Sequence, residues 1–486
     1  MQKRALLRVL VAIALMGCSS SATSPPSTTL TMSIVSGDGQ TALRTTTLAA
    51  DFVIKLVDAA GAPVVGKTVT WSVTFGGGTL SPATTITSST GIAATRYTLG
   101  PFLGNQTVAA SVDNGAATAS FNATATGGSI SLVTTVDMPT GATYHHDTFV
   151  RDGLAFVCAW NFGVRIYDVG NGMSAGSPAN PVLVSSIVTA ANGVPGGVSV
   201  HNAWWFQNPA NGQKKYLFVG QEGFGSVGSA SSGDIHIVDV SNLAAPVEVG
   251  FIHVPNAGTH NFWMDESRQI LYAAYYNGGV IAVDVSGTLA GDMSSRIVAR
   301  ITPGGTGNTY VWGVMLSNGT LYAIDMVSGF WALDPLTLAV KGGGNNVPER
   351  YSSDLWVTGG FAYTGGWGTR AGVKGNAIKV WALNASTGVP TLVDSLIIPN
   401  ITTVSDVAVS PDGKMLIATA EGGAGAGLYV FDRTVPQTPV LRGTFTVSQG
   451  LHTGEVAVIN GHTYVFAARD PSGPAMMIFD VTGIVP

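Results

Sequence analysis

The chain has 486 residues, too many for one compact domain, so two or more are expected. Charged residues make up only 10% against 63 glycines, a balance that argues against a helical, solvent-facing protein and suits short strands joined by tight turns. The net charge of −5 is spread thinly and no Lys/Arg run follows the first ten residues, which argues against a nucleic-acid partner.

The first predicted element is a leader over residues 1–17. Lys3, Arg4 and Arg8 supply positive charge, and Leu6 to Met16 is a mostly apolar run too short to span a bilayer, as in a signal peptide. It ends in Leu15-Met16-Gly17-Cys18, which resembles a lipobox. That resemblance implies a lipidated Cys18 as the new N-terminus, and Ser19 in place of Asp implies the outer membrane. An ordinary signal peptide with a chance cysteine is the alternative. Residues 18–29 then comprise the lipidated cysteine and a flexible tether, because SSSATSPPSTT has no large apolar residue to bury. Only Cys158 is left, so no internal disulfide forms, and its place in Leu154-Ala-Phe-Val-Cys158 predicts a buried, inert thiol.

Residues 30–127 alternate as strands do, in Phe52-Val-Ile-Lys-Leu-Val57 and Val69-Thr-Trp-Ser-Val73, with a turn at Asp58-Ala-Ala-Gly61-Ala-Pro63 between them. About seven short strands are expected, which suggests a β-sandwich with Trp71 in its core. The strings DAAGAPVVGKTVTWSV, STGIAATRYTLG and GNQTVAASV resemble the bacterial Ig-like domain of the invasin/intimin group. The resemblance implies a rigid spacer without a ligand.

Residues 128–486 carry a repeat. Seven segments share the form small or polar, apolar, any, apolar, apolar, Asp: they begin at Gly163, Asp234, Gly279, Gly329, Ala377, Gly427 and Ala475. The fifth has Ala382 where the others have Asp. Spaced mostly by roughly 45–50 residues and containing several strands each, they predict propeller blades. DVSNLAAPVEVG resembles the LVIVD repeat family, most closely in copies one, two and six, and implies a propeller of bacterial or archaeal surfaces. The last copy lacks an outer strand, whereas Ile130 to Met138 is a spare strand upstream. Pairing the two would hide two sheet edges. The expected fold is therefore all-β: an Ig-like β-sandwich followed by a seven-bladed β-propeller closed by an N-terminal outer strand.

In a propeller the starts of the innermost strands converge on the central channel. Those starts hold His146-Asp147, His201-Asn202, His260-Asn261, Trp312, Asp354, Asp406, His452 and Glu455, and five of the eight histidines fall in this one register. One reading is a ligand site, or a divalent metal site built by His146, His201 and His260, since imidazole suits zinc, copper, nickel or iron. The other is structural, with polar residues satisfying backbone groups between blades. Trp204, Trp205, Trp263, Trp312 and Trp356 follow the same starts, as a ring platform or as packing. Gly223-Phe-Gly225-Ser-Val-Gly228 has no helix after it, and Gly172-Met-Ser174-Ala-Gly176 leads to prolines rather than a helix, so neither is read as a nucleotide or nucleophile motif.

These readings describe an outer-membrane lipoprotein, periplasmic or surface-exposed, whose propeller binds a protein, glycan or small ligand. The alternative is a metal-dependent hydrolase or lyase acting at the His-rich mouth, and no catalytic residue is assigned.

Overall fold

The computed structural model describes residues 29–485 except 192–197, 224, 345–349 and 471. The leader, Cys18 and nearly all of the tether lie outside the described residues. The chain divides into two compact units, 1–126 and 127–486. Among the described residues every long element is a strand, and the helical pieces are the short 3-10 turns Asp113–Gly115 and Ser294–Arg296.

The N-terminal unit has two sheets. One runs Thr31–Ser36, Phe52–Val57, Ile92–Leu99, Gly78–Ser81; the other runs Gln40–Leu43, Ala117–Thr126, Gly104–Val112, Thr68–Phe75, Thr84–Ile86. Strict alternation turns Phe52, Ile54 and Leu56 inward, where they share one core with Trp71, Tyr97, Val108 and Phe121 of both sheets. Trp71 is buried as expected, with its indole N–H donating to Thr85 Oγ1 at 2.8 Å. Nine strands stand where about seven were expected. Pro82, which has no N–H to give a ladder, interrupts one stretch into Gly78–Ser81 and Thr84–Ile86.

The C-terminal unit repeats one antiparallel pattern of four strands. Leu154–Cys158, between Asp147–Arg151 and Val164–Asp168, is buried along its whole length, whereas the fourth strand, Val182–Ile187, is half-exposed. A strand covered on both faces reads as a continuous apolar run; one at a rim alternates. The same order recurs from Val200, Phe262, Val311, Tyr351, Thr403 and Gly454. One extra short strand, Gly291–Asp292, adds in parallel to the edge of Val247–Ile252.

The last sheet takes its fourth strand from the other end of the unit. Ser131–Asp137 pairs antiparallel with Ala475–Asp480, from Ser131 opposite Asp480 to Asp137 opposite Ala475. Successive sheets share apolar cores, as where Phe156 meets Trp205 and where Phe218 meets Met264 and Leu271. The series ends in a core of Ala155, Val157, Phe466, Met476 and Ile478, which joins the last sheet to the first.

The repeat signature has a physical reading. Its opening glycine is required at Gly163 and Gly279, where φ is +72° and +83° and a Cβ would stand 2.0 and 1.9 Å from the carbonyl oxygens of Ile187 and Ile301. Its closing Asp caps the following turn: Asp239, Asp284, Asp432 and Asp480 each accept the N–H two residues on. Ala382 does pair like the other closing residues, opposite Phe361, but the cap moves two positions to Asn384, which accepts from Ser386 and Thr387.

Asp168 carries the largest such turn. Its carboxylate accepts five N–H groups from Gly170 to Gly176 at 2.7–3.3 Å. The Gly172–Gly176 string is thus a loop folded on that carboxylate. Burial works to raise the Asp168 pKa, but the N–H groups of Ser174, Gly170, Gly176 and Gly172 outweigh it and hold the carboxyl at about 2. The folded value lies below the unfolded ~3.9, so this stabilisation is complete above about pH 4 and is lost as pH falls toward 2. Asp168→Ala is expected to cost about 1–3 kcal/mol at neutral pH and to flatten the acid limb of the stability curve. Urea melts across that range check it; an acid limb identical to the parent chain contradicts it.

Candidate functional site

In each four-stranded sheet the first two strands run antiparallel, so the start of one faces the end of the other. Val200 pairs with Gln221, Tyr351 with Trp367 and Thr403 with Glu421. Two positions per sheet therefore converge on the axis: the residues that open the first strand and those that close the second.

Six rings from six sheets close a collar there. Between centroids, His146 to His201 is 4.0 Å, His201 to His260 4.0 Å, His260 to Trp312 4.2 Å, Trp312 to Trp367 5.0 Å, Trp367 to His452 5.8 Å, and His452 back to His146 4.2 Å. Above the collar lies a cavity of about 390 Å³. Tyr144, Trp160, Tyr276, Tyr310, Trp312 and Trp367 give it apolar walls, and His146, Glu222, Glu421, His452 and Asp470 supply polar groups.

The collar is electrostatically divided. Burial, and then the neighbouring imidazoles, hold His146, His201 and His260 well below the usual histidine range. Both nitrogens of His201 and His260, and Nδ1 of His146, are buried without a well-formed hydrogen bond. Burial also acts against a charge on His452, but Glu421, whose Oε1 lies 2.5 Å from Nδ1, and then Asp470 and Glu222 raise it to about 9. Burial pushes Glu222 up to about 7 despite the Tyr276 hydroxyl that donates to Oε1. Its Oε2 lies 3.8 Å from His146 Nε2 and 3.7 Å from His201 Nε2.

One residue beyond His146, His201 and His260, and near the first-strand starts of three later sheets, lies a second, polar level. Asp147, Asn202, Asn261, Asp354, Asp406 and Glu455 line a separate cavity of about 120 Å³. Asn261 donates to Asp354 at 2.6 Å, and the Gly454 N–H donates to Asp406 at 2.8 Å. Burial raises all four acids, and repulsion by neighbouring carboxylates adds to it for three, taking Asp147 to about 6 and Asp354 and Glu455 well above their usual values. Trp204, Trp263 and Trp356 border this level, while Trp205 packs in a core between sheets.

The structure divides the expected register between two levels. His146, Trp312 and His452 line the larger cavity, with His201 and His260 in the collar beside them, and the carboxylates and amides belong to the smaller one. The expected histidine triad also changes. His260 lies 6.5 Å from His146 between centroids, and the donors that converge are His146, His201 and Glu222, with His146, His452 and Asp470 as a second group. His145 is structural, at 2.8 Å from Thr148 Oγ1.

Glu222, Glu421, Asp470, Trp160, Tyr276 and Trp367 were missed. Each ends or follows the second strand of its sheet, and a second alignment on those ends would have found three acids in a chain poor in charge. The Gly225–Val227 stretch is a rim of the larger cavity, not a phosphate cradle. Cys158 is fully buried and burial pushes its thiol well up. Peptide mapping after treatment with a thiol reagent at neutral pH should find Cys158 unlabelled in the folded chain and fully labelled in denaturant; fast labelling of the folded chain contradicts this burial.

The LVIVD repeat matches residues 230–253 and 349–369, that is, the second repeat and the opening strands of the fifth sheet, not copies one and six. No curated protein matches the chain. Among solved structures it is similar to the β-propeller domain of Cps50 (Swd1) from Myceliophteria thermophila, with a TM-score of 0.52 at 12% identity, over 73% of this chain and 100% of that one. At that identity the likeness concerns the fold alone. The repeated four-stranded sheets, the LVIVD repeats and this likeness agree: the chain is a β-propeller protein that carries LVIVD repeats.

Proposed function

We propose that the protein is a binding module whose propeller takes a small ligand in the cavity above the collar. The observation that carries this reading is a concave site of about 390 Å³ walled by aromatic rings and furnished with a few convergent polar groups. Small-ligand sites have this size and composition. Of the three ligand classes considered, a flat protein surface fits a recess of this kind poorly. A single sugar, free or ending a glycan, fits well: its apolar face stacks on Trp160 or Trp367 and its hydroxyls reach Glu222, Glu421 and Asp470.

We read the rest of the chain as the means of presenting this site. Cys18 carries a lipid in the outer membrane, residues 19–29 form a tether, and the N-terminal unit is an Ig-like sandwich acting as a spacer. The propeller has seven blades, closed by the strand Ser131–Asp137; the seven four-stranded groups support that count. The smaller level, with Asp147, Asn202, Asn261, Asp354, Asp406 and Glu455, braces the channel below the ligand. Neither comparison favours the hydrolase or lyase alternative.

Titration of the full-length protein with a panel of monosaccharides, followed by tryptophan fluorescence, tests this reading. At least one sugar is expected to shift the emission saturably, with affinity at least tenfold lower in Trp367→Ala. No saturable shift across the panel, or binding indifferent to Trp367→Ala, would overturn it.

A further inference from the structure

Three donor atoms meet at one corner of the collar without bonding to one another. Glu222 Oε2 stands 3.8 Å from His146 Nε2 and 3.7 Å from His201 Nε2, and all three donors lie within 4.8 Å of one another. These gaps are too long for hydrogen bonds. They are close to the roughly 3.4 Å that separates ligands held ~2.05 Å from a tetrahedral zinc. We propose that His146, His201 and Glu222 hold one divalent transition metal of the zinc and cobalt class, with its open position facing the cavity.

Three further observations agree. His201 is 1% exposed, yet neither ring nitrogen has a well-formed hydrogen bond, which is costly unless something else binds there. The Tyr276 hydroxyl donates to the other Glu222 oxygen and fixes the carboxylate, as an outer partner of a metal ligand does. Among the described residues no Lys or Arg pairs with Glu222, and the one charged imidazole nearby, His452, is held by Glu421 at 2.5 Å. The neighbouring group of His146, His452 and Asp470 is the poorer choice, because Glu421 already holds His452 Nδ1 at 2.5 Å. Two imidazoles and one carboxylate with an open position also suit a metal that contacts an incoming ligand. The inference rests on the same mouth being the ligand cavity.

The test uses the full chain, stripped with a chelator and titrated with Co²⁺ alone, read by equilibrium dialysis and by the visible spectrum of the bound ion. One Co²⁺ per chain is expected, with the intense bands of a low-coordinate site. Affinity should fall at least tenfold in His201→Ala and Glu222→Gln, and stay unchanged in His462→Ala, whose ring is exposed elsewhere. Thermal melts show whether the variants fold. If Glu222→Gln does not, Tyr276→Phe carries the test, with a loss of about tenfold or more. No bound Co²⁺ above the buffer control, or affinity untouched in a folded Glu222→Gln or Tyr276→Phe, overturns the metal site. Because no sugar is present, that result leaves the sugar titration to stand or fall separately.

Discussion

The propeller depends on one pairing: the strand Ser131–Asp137 hydrogen-bonded to Ala475–Asp480. Stacked sheets alone would form an open arc with two exposed edges, each a template for unwanted pairing. Joining the ends turns the arc into a ring and seats the last sheet against the first through Phe466, Met476 and Ile478. It also completes the collar. Thr453 donates to the His146 carbonyl at 2.8 Å although the two are 307 positions apart, and His146 and His452 lie 4.2 Å between ring centroids. Remote imidazoles meet only because the termini of the propeller do.

A ring closed in this way places an unusual load of polar groups on its axis. The chain is 10% charged, yet two stacked levels near the axis hold Glu222, Asp470, Asp147, Asp354, Asp406 and Glu455. Ionising each of them in so enclosed a place costs several kcal/mol without a partner. The protein answers by raising their pKa values and by placing one charged histidine, His452, against Glu421. Hydrogen bonding answers the cost better at the lower level, where Asn261 and the Gly454 N–H serve Asp354 and Asp406. At the upper level the ring nitrogens of His201 and His260 lack a well-formed hydrogen bond, as does Asn202 Oδ1 at the lower level. The unpaired atoms at the upper level are thus mostly nitrogens of the collar itself.

Much of this was legible from residue order. The spaced Asp signature marks turns that Asp168, Asp239 and Asp432 do cap, and the spare strand at Ile130–Met138 found its partner. The histidine register was legible because five imidazoles at strand starts stand out against so bland a composition. Its depth was not: His146 and Asp147 are neighbours in sequence, and only the strand's alternation sends them to different cavities. Glu222 escaped because it follows a second strand, and its approach to His201 depends on the register that sets Val200 opposite Gln221, which repeat spacing does not reveal. Likewise Asn384 replaces the missing Asp two residues late, beyond the reach of a fixed-length pattern.

Closure is tested most directly by joining the two strands covalently. Ser131 and Asp480 face each other at the end of the ladder, so Ser131→Cys with Asp480→Cys should form an intramolecular disulfide under mild oxidation, detected by peptide mapping, while either single variant forms none. A double variant that folds but yields only free thiols or intermolecular links would mean that the ends do not meet, and with them the collar and its site would fall.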